Sequence, residues 1–290
     1  DYLMFFTNTG RVYVERVHEI PDMGRAAKGR NIANLLELKP GEAIAALIRI
    51  EARTGADRED TTWQQPGFLF FATRQGTVKK TALEDFANVR KGGIIAIGME
   101  PGDSLIDVKF TSGEDQVVLI TRAGMSIRFS ETEVRPMGRP AAGVRGISLE
   151  PGDEVVALAV VVKDATLLVV GENGIGKRTP FDQVLEDGSI EPVYRLQGRG
   201  GKGIITMKTT EKTGGVVGAL PVRETDEIMV ITAAGQMVRT FVKDIRETGR
   251  NAQGVKVIEL AEGDKLQAIA PVISEQEEES AEAAGEAPPA

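Results

Sequence analysis

Hydrophobic and polar residues alternate along the chain in a unit that recurs. Its clearest copy spans residues 115–162, where four short apolar runs are separated by turn residues and Gly124 closes a hairpin. Val117 and Leu119 fall on one face of the first run, and this period of two predicts a β-strand. A sheet of four such short strands needs neighbouring copies to bury its faces.

Five copies of the unit can be aligned, each with three turns. The hairpin glycines, which recur at spacings of about 50–65 residues, are Gly10, Gly76, Gly124, Gly174 and Gly235. A polar connector then leads to a second glycine, which opens another strand: Gly29, Gly93, Gly143, Gly203 and Gly254. The turns before the closing strands contain Gly41, Gly102, Gly152 and Gly263, with Thr213-Gly214-Gly215 in the fourth copy.

The repeat predicts an all-β fold, a propeller-like array of four-stranded blades of which five are visible. Radial closure would also protect the edges of such short sheets. The predicted blades are approximately 1–51, 67–112, 115–162, 165–222 and 226–272, which together form one domain over residues 1–273. The Glu-, Ala- and Pro-rich residues 274–290 predict a disordered acidic tail.

Composition narrows the possible functions. The chain has no cysteine and one histidine, which excludes disulfides, thiolate metal sites and multi-histidine sites and favours an intracellular setting. No apolar run approaches the ~18–20 residues of a membrane span. The net charge is −8, but the tail carries six glutamates and no base, so the rest is nearly neutral and can still carry a basic surface.

Two glycine-rich stretches resemble nucleotide loops without completing them. Gly171–Lys177 is followed by Arg178, where a P-loop needs Ser or Thr for magnesium. Gly198–Gly203 fits G-x-G-x-x-G, but Ile204-Ile205 continues as a strand where that motif opens a helix. No nucleophile, base and orienting residue can be assembled either. We therefore predict no catalytic, cofactor or metal site in this chain.

Basic residues recur at equivalent points of the copies. Four positions after four of the hairpin glycines stand Lys80, Arg128, Arg178 and Arg239, and other bases lie in the connectors. Together with backbone N–H groups, such cations suit phosphate, and we predict a basic rim that binds DNA, to which those four contribute additively. The alternative is that these bases only form a charged, solvated surface and bind no ligand. The predicted DNA-binding residues are Arg11, Arg30, Lys79, Lys80, Arg90, Lys91, Arg122, Arg128, Arg139, Arg145, Lys177, Arg178, Arg199, Lys202, Arg239 and Arg250.

Base-specific readout is not expected. The sequence contains no recognition-helix pattern, and aromatic residues make up only 5% of the chain.

Several stretches resemble one family of the type IIA topoisomerases, the C-terminal DNA-wrapping domains of DNA gyrase A. They include Val78-Lys-Lys-Thr, Val134-Arg-Pro-Met-Gly, Gly143-Val-Arg-Gly-Ile, Asn173-Gly-Ile-Gly-Lys-Arg-Thr and Gly249-Arg-Asn-Ala-Gln-Gly-Val. The resemblance implies a β-pinwheel of six blades with exchanged strands. It also implies that its basic rim wraps double-stranded DNA without sequence specificity, which supports negative supercoiling by the whole enzyme.

The resemblance also implies partners and a location. These are the N-terminal breakage-reunion domain of the same polypeptide, the gyrase B protein, and the bacterial cytoplasm at the nucleoid. ATP and magnesium would be used by parts of the enzyme that are not present here, as would the cleavage tyrosine.

The chain departs from the family pattern in two ways. Five copies are visible against six, and the family's Gln-Arg-Arg-Gly-Gly-Lys-Gly box has only a degenerate counterpart in a later blade. That counterpart comprises Gln197, Gly198, Arg199, Gly200, Gly201, Lys202 and Gly203. Two alternatives stay open, namely the C-terminal domain of the A-type protein of topoisomerase IV and a propeller that binds only proteins.

Overall fold

The computed structural model of the protein describes residues 1–23, 28–54 and 60–272. The chain forms short β-strands, tight turns and short 3-10 helices. Two compact units are present, the first formed by residues 1–121, 126–160 and 196–203 and the second by the remaining described residues. The predicted disordered tail at residues 274–290 lies outside the described residues.

The first unit contains three hairpins and their flanking strands. The strands are β1 (Tyr2–Thr7), β2 (Arg11–Arg16), β3 (Ile44–Ile50), β4 (Phe68–Thr73), β5 (Thr77–Ala82), β6 (Ile94–Ile95), β7 (Leu105–Thr111), β8 (Gln116–Thr121), β9 (Met125–Ser130), β10 (Val144–Arg145) and β11 (Val155–Val160). Its 3-10 helices are Val17–Glu19, Ile32–Asn34, Thr62–Gln64, Leu83–Phe86 and Glu131–Glu133.

Neighbouring copies exchange a strand. The first two sheets have the orders β3-β1-β2-β6 and β10-β5-β4-β7, and in the third β8 lies between β11 and β9. Strand β6 belongs in sequence to the second copy but pairs with β2 of the first, with Val12 opposite Ile94. Strand β10 likewise leaves the third copy to pair with β5, with Val78 opposite Val144. This is the exchange that the family resemblance implies.

The hairpin strands bury both of their faces. In β4, Leu69 and Phe71 pack into one core cluster with side chains of the first sheet, whereas Phe70 joins a second cluster with side chains of the third sheet. Phe6 meets Phe71 edge to face at 5.6 Å between ring centroids. Successive side chains of the strand therefore point alternately into two dry interfaces. A side chain in the middle of such a hairpin has no direct route to solvent.

The second unit repeats this architecture. Its strands are β12 (Thr166–Gly171), β13 (Ile175–Pro180), β14 (Asp182–Val184), β15 (Ile190–Pro192), β16 (Ile204–Ile205), β17 (Val216–Val222), β18 (Glu227–Thr232), β19 (Met237–Phe241), β20 (Val255–Lys256) and β21 (Leu266–Val272), with a 3-10 helix at Val242–Asp244. They form the sheets β17-β12-β13-β20, β14-β15 and β19-β18-β21. Leu168, Val230 and Val242 lie in its core. The all-β class and the recurring blade are confirmed, and the lengthened fourth connector forms the small hairpin β14-β15.

The second glycines permit the strand exchange. Gly143 has φ +106°, and a Cβ added there would lie 2.4 Å from the carbonyl oxygen of Val78. Gly254 has the same environment, with the oxygen of Gly176 at 2.4 Å from the corresponding position. At these points the backbones of two copies are in contact, and only glycine fits.

We expect Gly143→Ala to lower the free energy of unfolding by about 2–4 kcal/mol, because it adds a backbone clash to the strain of a positive φ. Gly152→Ala is the matched control, since Gly152 also has a positive φ, +83°, but nothing lies within 4 Å of its added Cβ. Its cost should stay near ~1 kcal/mol. Urea unfolding of both variants measures the difference, and equal losses would contradict the close-approach argument.

Candidate nucleic-acid interface

The bases predicted at the hairpins are mostly internal. Lys79 and Lys177 are fully buried, and Lys80, Arg128 and Arg178 are at most 7% exposed. They lie in the middle of β5, β9 and β13, whose side chains face packed interfaces on both sides. As folded, none of these five side chains can form part of an exposed basic rim, so the prediction is wrong for them.

Lys80 forms part of a buried ionic cluster. Its Nζ donates to the backbone oxygen of Glu131 at 3.0 Å and lies 3.5 Å from the Glu131 carboxylate. That carboxylate also accepts from the Thr111 hydroxyl and from the backbone N–H groups of Gly113 and Asp115, each at 2.8 Å. The Glu131 side chain is fully buried, so every hydrogen bond it accepts stabilises a charge that is removed from water.

The equivalent arginines also bond within the protein. Arg128 donates from Nε to Gln116 Oε1 at 2.7 Å, and Arg178 donates from Nε to the backbone oxygen of Ile245 at 2.6 Å. Arg239 is more exposed but is paired with the Glu227 carboxylate. The recurrence of this base is therefore structural, because each one bonds to acceptors of the protein. These lie in the same copy for Arg128 and Arg239, and in the following copy for Lys80 and Arg178.

Other predicted bases do reach solvent. Of these, Arg11, Arg139 and Arg250 are half-buried, and those classed as exposed are Arg30, Arg90, Lys91, Arg122, Arg145, Arg199 and Lys202. Arg122 is paired with Glu172 at 2.7 Å, and Arg11 donates to the backbone oxygens of Gly92 and Gly93 at 2.6 and 2.9 Å. The accessible part of the predicted set thus lies mainly in the connectors.

The box-like stretch Gln197–Gly203 is one of these connectors. Arg199 donates from its side chain to the backbone oxygens of Glu133 and Arg145, both at 3.1 Å. Lys202 Nζ lies 2.7 Å from an exposed Glu150 carboxylate oxygen, a contact that solvent screens strongly. The stretch therefore presents two exposed cations on a backbone that is held against the preceding copy.

The predicted set left out a recurring exposed arginine. Arg135, Arg195 and Arg246 are exposed and equivalent to one another, since each lies eight residues before the second glycine of its copy and directly follows a buried side chain. Within the described part of the chain, no side-chain hydrogen bond or ion pair holds these three guanidinium groups or that of Arg90. The sequence signal was available: an arginine eight residues before the second glycine in three of the copies.

The nucleotide-loop motifs do not form nucleotide sites. Gly171–Lys177 is the tight turn between β12 and β13, and its Lys177 ammonium is buried, with hydrogen bonds to protein oxygens. Gly198–Gly203 leads into strand β16. Among the described residues, no group of acidic, histidine or cysteine side chains is arranged to hold a metal ion. In the same residues, no helix is long and apolar enough to span a membrane.

Comparison with known proteins identifies one family. The family described as DNA gyrase C-terminal domain, beta-propeller, matches residues 1–51, 67–112, 115–161, 165–186, 193–223 and 226–273. The chain is 43% identical over 283 residues to the DNA gyrase A protein of Deinococcus deserti, covering 96% of this chain and 32% of that protein. It is 42% identical over 280 residues to the DNA gyrase A protein of Salmonella typhimurium, covering 96% of this chain and 30% of that protein. The chain thus spans about a third of the length of the curated relatives it matches.

Two solved structures share the fold. A DNA gyrase A C-terminal domain superposes with a TM-score of 0.76 at 26% identity, over 94% of this chain and 83% of that one. The C-terminal domain of a DNA topoisomerase IV gives a TM-score of 0.80 at 27% identity, over 98% of this chain and 83% of that one.

Proposed function

Because the chain belongs to the DNA gyrase C-terminal domain family of β-propellers, we propose that it binds and bends double-stranded DNA through its connector arginines and lysines. The proposed ligand is the phosphate backbone, because such contacts carry no sequence information. The wrapped DNA would support negative supercoiling by a whole type II topoisomerase, whose catalytic and ATP-binding parts lie elsewhere.

One observation carries this proposal. Three copies place an exposed arginine eight residues before the second glycine, as Arg135, Arg195 and Arg246, and the connector of the second copy has an exposed Arg90 nearer its glycine; none of the four has an ion pair in the described residues. Unpaired guanidinium groups on a surface remain free to bind phosphate. A second recurring arginine directly follows a connector glycine as Arg139, Arg199 and Arg250.

Wrapping needs many such contacts. Smoothly bending ~20–30 base pairs by 40–90° costs on the order of 1–6 kcal/mol, and a tight wrap incurs that cost repeatedly. One exposed cation per copy cannot offset it, whereas two or more per copy supply roughly the 6–10 phosphate contacts of a strong electrostatic binder. The connectors meet this requirement without the hairpin bases.

Relaxed circular DNA tests the proposal directly. The protein is incubated with nicked circles, the nicks are sealed, and the linking number is read after the protein is removed. A wrapping protein shifts the linking-number distribution in proportion to the amount bound and prefers long duplexes to short ones in a gel shift. An unshifted distribution together with no length preference would support a propeller that binds only proteins.

Single substitutions test which bases contact DNA. We expect Arg135→Ala to weaken binding by a similar factor on all sequences and to lower the salt slope by ~1, as for loss of one phosphate contact. Arg239→Ala is the matched control, since its guanidinium is already paired with Glu227, and it should leave the slope unchanged. Fluorescence anisotropy across a salt series measures both. A larger effect from Arg239→Ala than from Arg135→Ala would indicate instead that DNA binds at the hairpins.

The full assembly follows the same proposal. The gyrase A relatives support a role beside a breakage-reunion domain of the same polypeptide and the gyrase B protein, in the bacterial cytoplasm. The topoisomerase IV alternative is less favoured, because the DNA gyrase A proteins of Deinococcus deserti and Salmonella typhimurium match the chain at 43% and 42% identity.

A further inference from the structure

In the first four copies, the position three residues after the hairpin glycine lies beneath the connector of the following copy. In the first copy it is Tyr13, and a Cβ added to Gly93 of the next connector would lie 2.7 Å from the Tyr13 ring. In the third copy it is Ile127, 3.5 Å from the corresponding point of Gly201. The second and fourth copies have lysine instead, Lys79 and Lys177. An apolar side chain suffices to support a connector, so the two buried amines need another explanation.

Both lysines bond to the backbone of a connector arginine. Lys177 Nζ donates to the backbone oxygens of Gly249 and Arg250, both at 2.7 Å, and lies 3.2 Å from the Thr179 hydroxyl. Lys79 Nζ donates to the backbone oxygen of Arg139, and to that of Ala96 at 2.7 Å. Gly138-Arg139 and Gly249-Arg250 are equivalent turns, so the same contact has arisen in two copies.

We propose that Lys79 and Lys177 are positioning residues for DNA, each holding from inside the protein the connector turn whose arginine, Arg139 or Arg250, meets phosphate on the outside. This inference rests on the proposed function and adds to it two buried residues that hold the DNA-contacting arginines in place. The amine fixes the arginine's own carbonyl, so the direction in which that arginine leaves the backbone depends on the buried hydrogen bond.

The charges around each amine make its hydrogen bond to the connector turn depend on DNA binding. Burial first, and then the guanidinium of Arg250, lowers the pKa of Lys177 to about 7. Burial and Arg139 lower the pKa of Lys79 to about 8, against the opposing effect of Asp85. Tyr194, near Thr179, stays neutral in this range because burial raises its pKa.

A phosphate bound at Arg250 would offset the positive charge that faces the amine and favour its protonated form. DNA binding should then take up a proton, and affinity should fall as pH rises through about 7–8. The expected change is about tenfold for each unit by which phosphate raises the Lys177 pKa.

The test uses the whole chain and a long mixed-sequence duplex at fixed ionic strength. Affinity is measured from pH 6 to 9, and proton uptake is measured by calorimetry in two buffers of different ionisation enthalpy. The wild-type chain should take up protons when it binds DNA, and its affinity should be lower at high pH than at low pH. At pH 6.5, Lys177→Met should bind DNA more weakly than the wild type. Its affinity should also depend less on pH, and it should take up fewer protons. Ile127→Met, at the equivalent site without an amine, should leave pH response and proton uptake unchanged.

The outcomes separate this inference from the proposed function. DNA binding with no proton uptake by the wild type, or an identical pH profile in Lys177→Met, overturns the positioning role and leaves DNA binding intact. No DNA binding at any salt concentration overturns both. If Lys177→Met does not fold, as judged by circular dichroism, the wild-type proton uptake and the Lys79→Met variant decide the question.

Discussion

Replacing Glu131 with alanine should lower the free energy of unfolding by about 3–5 kcal/mol, which is the usual cost of removing one partner of a buried ion pair. The substitution leaves the Lys80 ammonium without its carboxylate. It also removes the acceptor of the Thr111 hydroxyl and of two backbone N–H groups. Each buried donor left unsatisfied adds to the cost. Urea unfolding, with the m-value checked for two-state behaviour, measures the loss.

The control for this prediction is Glu84→Ala. Glu84 lies in the equivalent 3-10 helix of the second copy but is exposed, so its loss should stay within about 0.5 kcal/mol. The double variant Lys80→Met/Glu131→Leu should recover part of the loss, because a buried ion pair can often be replaced by apolar residues. Equal losses from Glu131→Ala and Glu84→Ala would show that the ionic cluster contributes no stability.

Raising the salt concentration from 50 to 200 mM should weaken DNA binding by about 10³–10⁵-fold. This is the loss expected for 6–10 phosphate contacts, since each contact releases condensed counterions from the duplex. The connectors supply the cations, and the hairpin lysines and arginines contribute none because they are buried or paired. A salt titration with a long duplex measures the slope of log affinity against log salt.

The salt slope also discriminates between the exposed connector arginines and the bases of the hairpins. Replacing Arg90, Arg135, Arg195 and Arg246 together by alanine should reduce the slope by roughly 4, at ~1 per contact. Thermal unfolding should change little, because all four are exposed. A flat dependence in the wild-type chain would rule out the phosphate interface. An unchanged slope in the quadruple variant would assign the contacts to other cations.

The fold could be predicted because its signals are local. Hairpin glycines such as Gly124, with φ +83°, mark turns whose backbone conformation other residues rarely adopt. The uninterrupted apolar run at residues 117–120 fits a strand that is buried on both faces. The partner of each second-glycine strand was not visible locally, and it was the family resemblance that implied the exchange.

The candidate site was predicted less well, for a physical reason. A recurring base looks the same in sequence whether it faces solvent or a buried carboxylate. The position of Lys80 in the polar run Lys79–Thr81 would fit a half-exposed sheet, but β5 is covered on both faces. The partner of Lys80, Glu131, lies 51 residues further along the chain, so no local pattern pointed to the buried pair. Arg135, Arg195 and Arg246 were left out of the predicted set because the hairpin bases repeat more obviously.

Strand exchange also constrains how the chain can assemble during synthesis. The edge of β5 at Thr77-Val78 stays unpaired until its partner strand β10, Val144-Arg145, has left the ribosome. The edge of β13 likewise stays unpaired until β20, Val255-Lys256, has been synthesised. Each nascent blade therefore carries an unsatisfied edge, which is prone to pairing with other chains. Translation rate over the following copy should thus influence the yield of native protein, and a pause just after a hairpin would be the most harmful place for a delay.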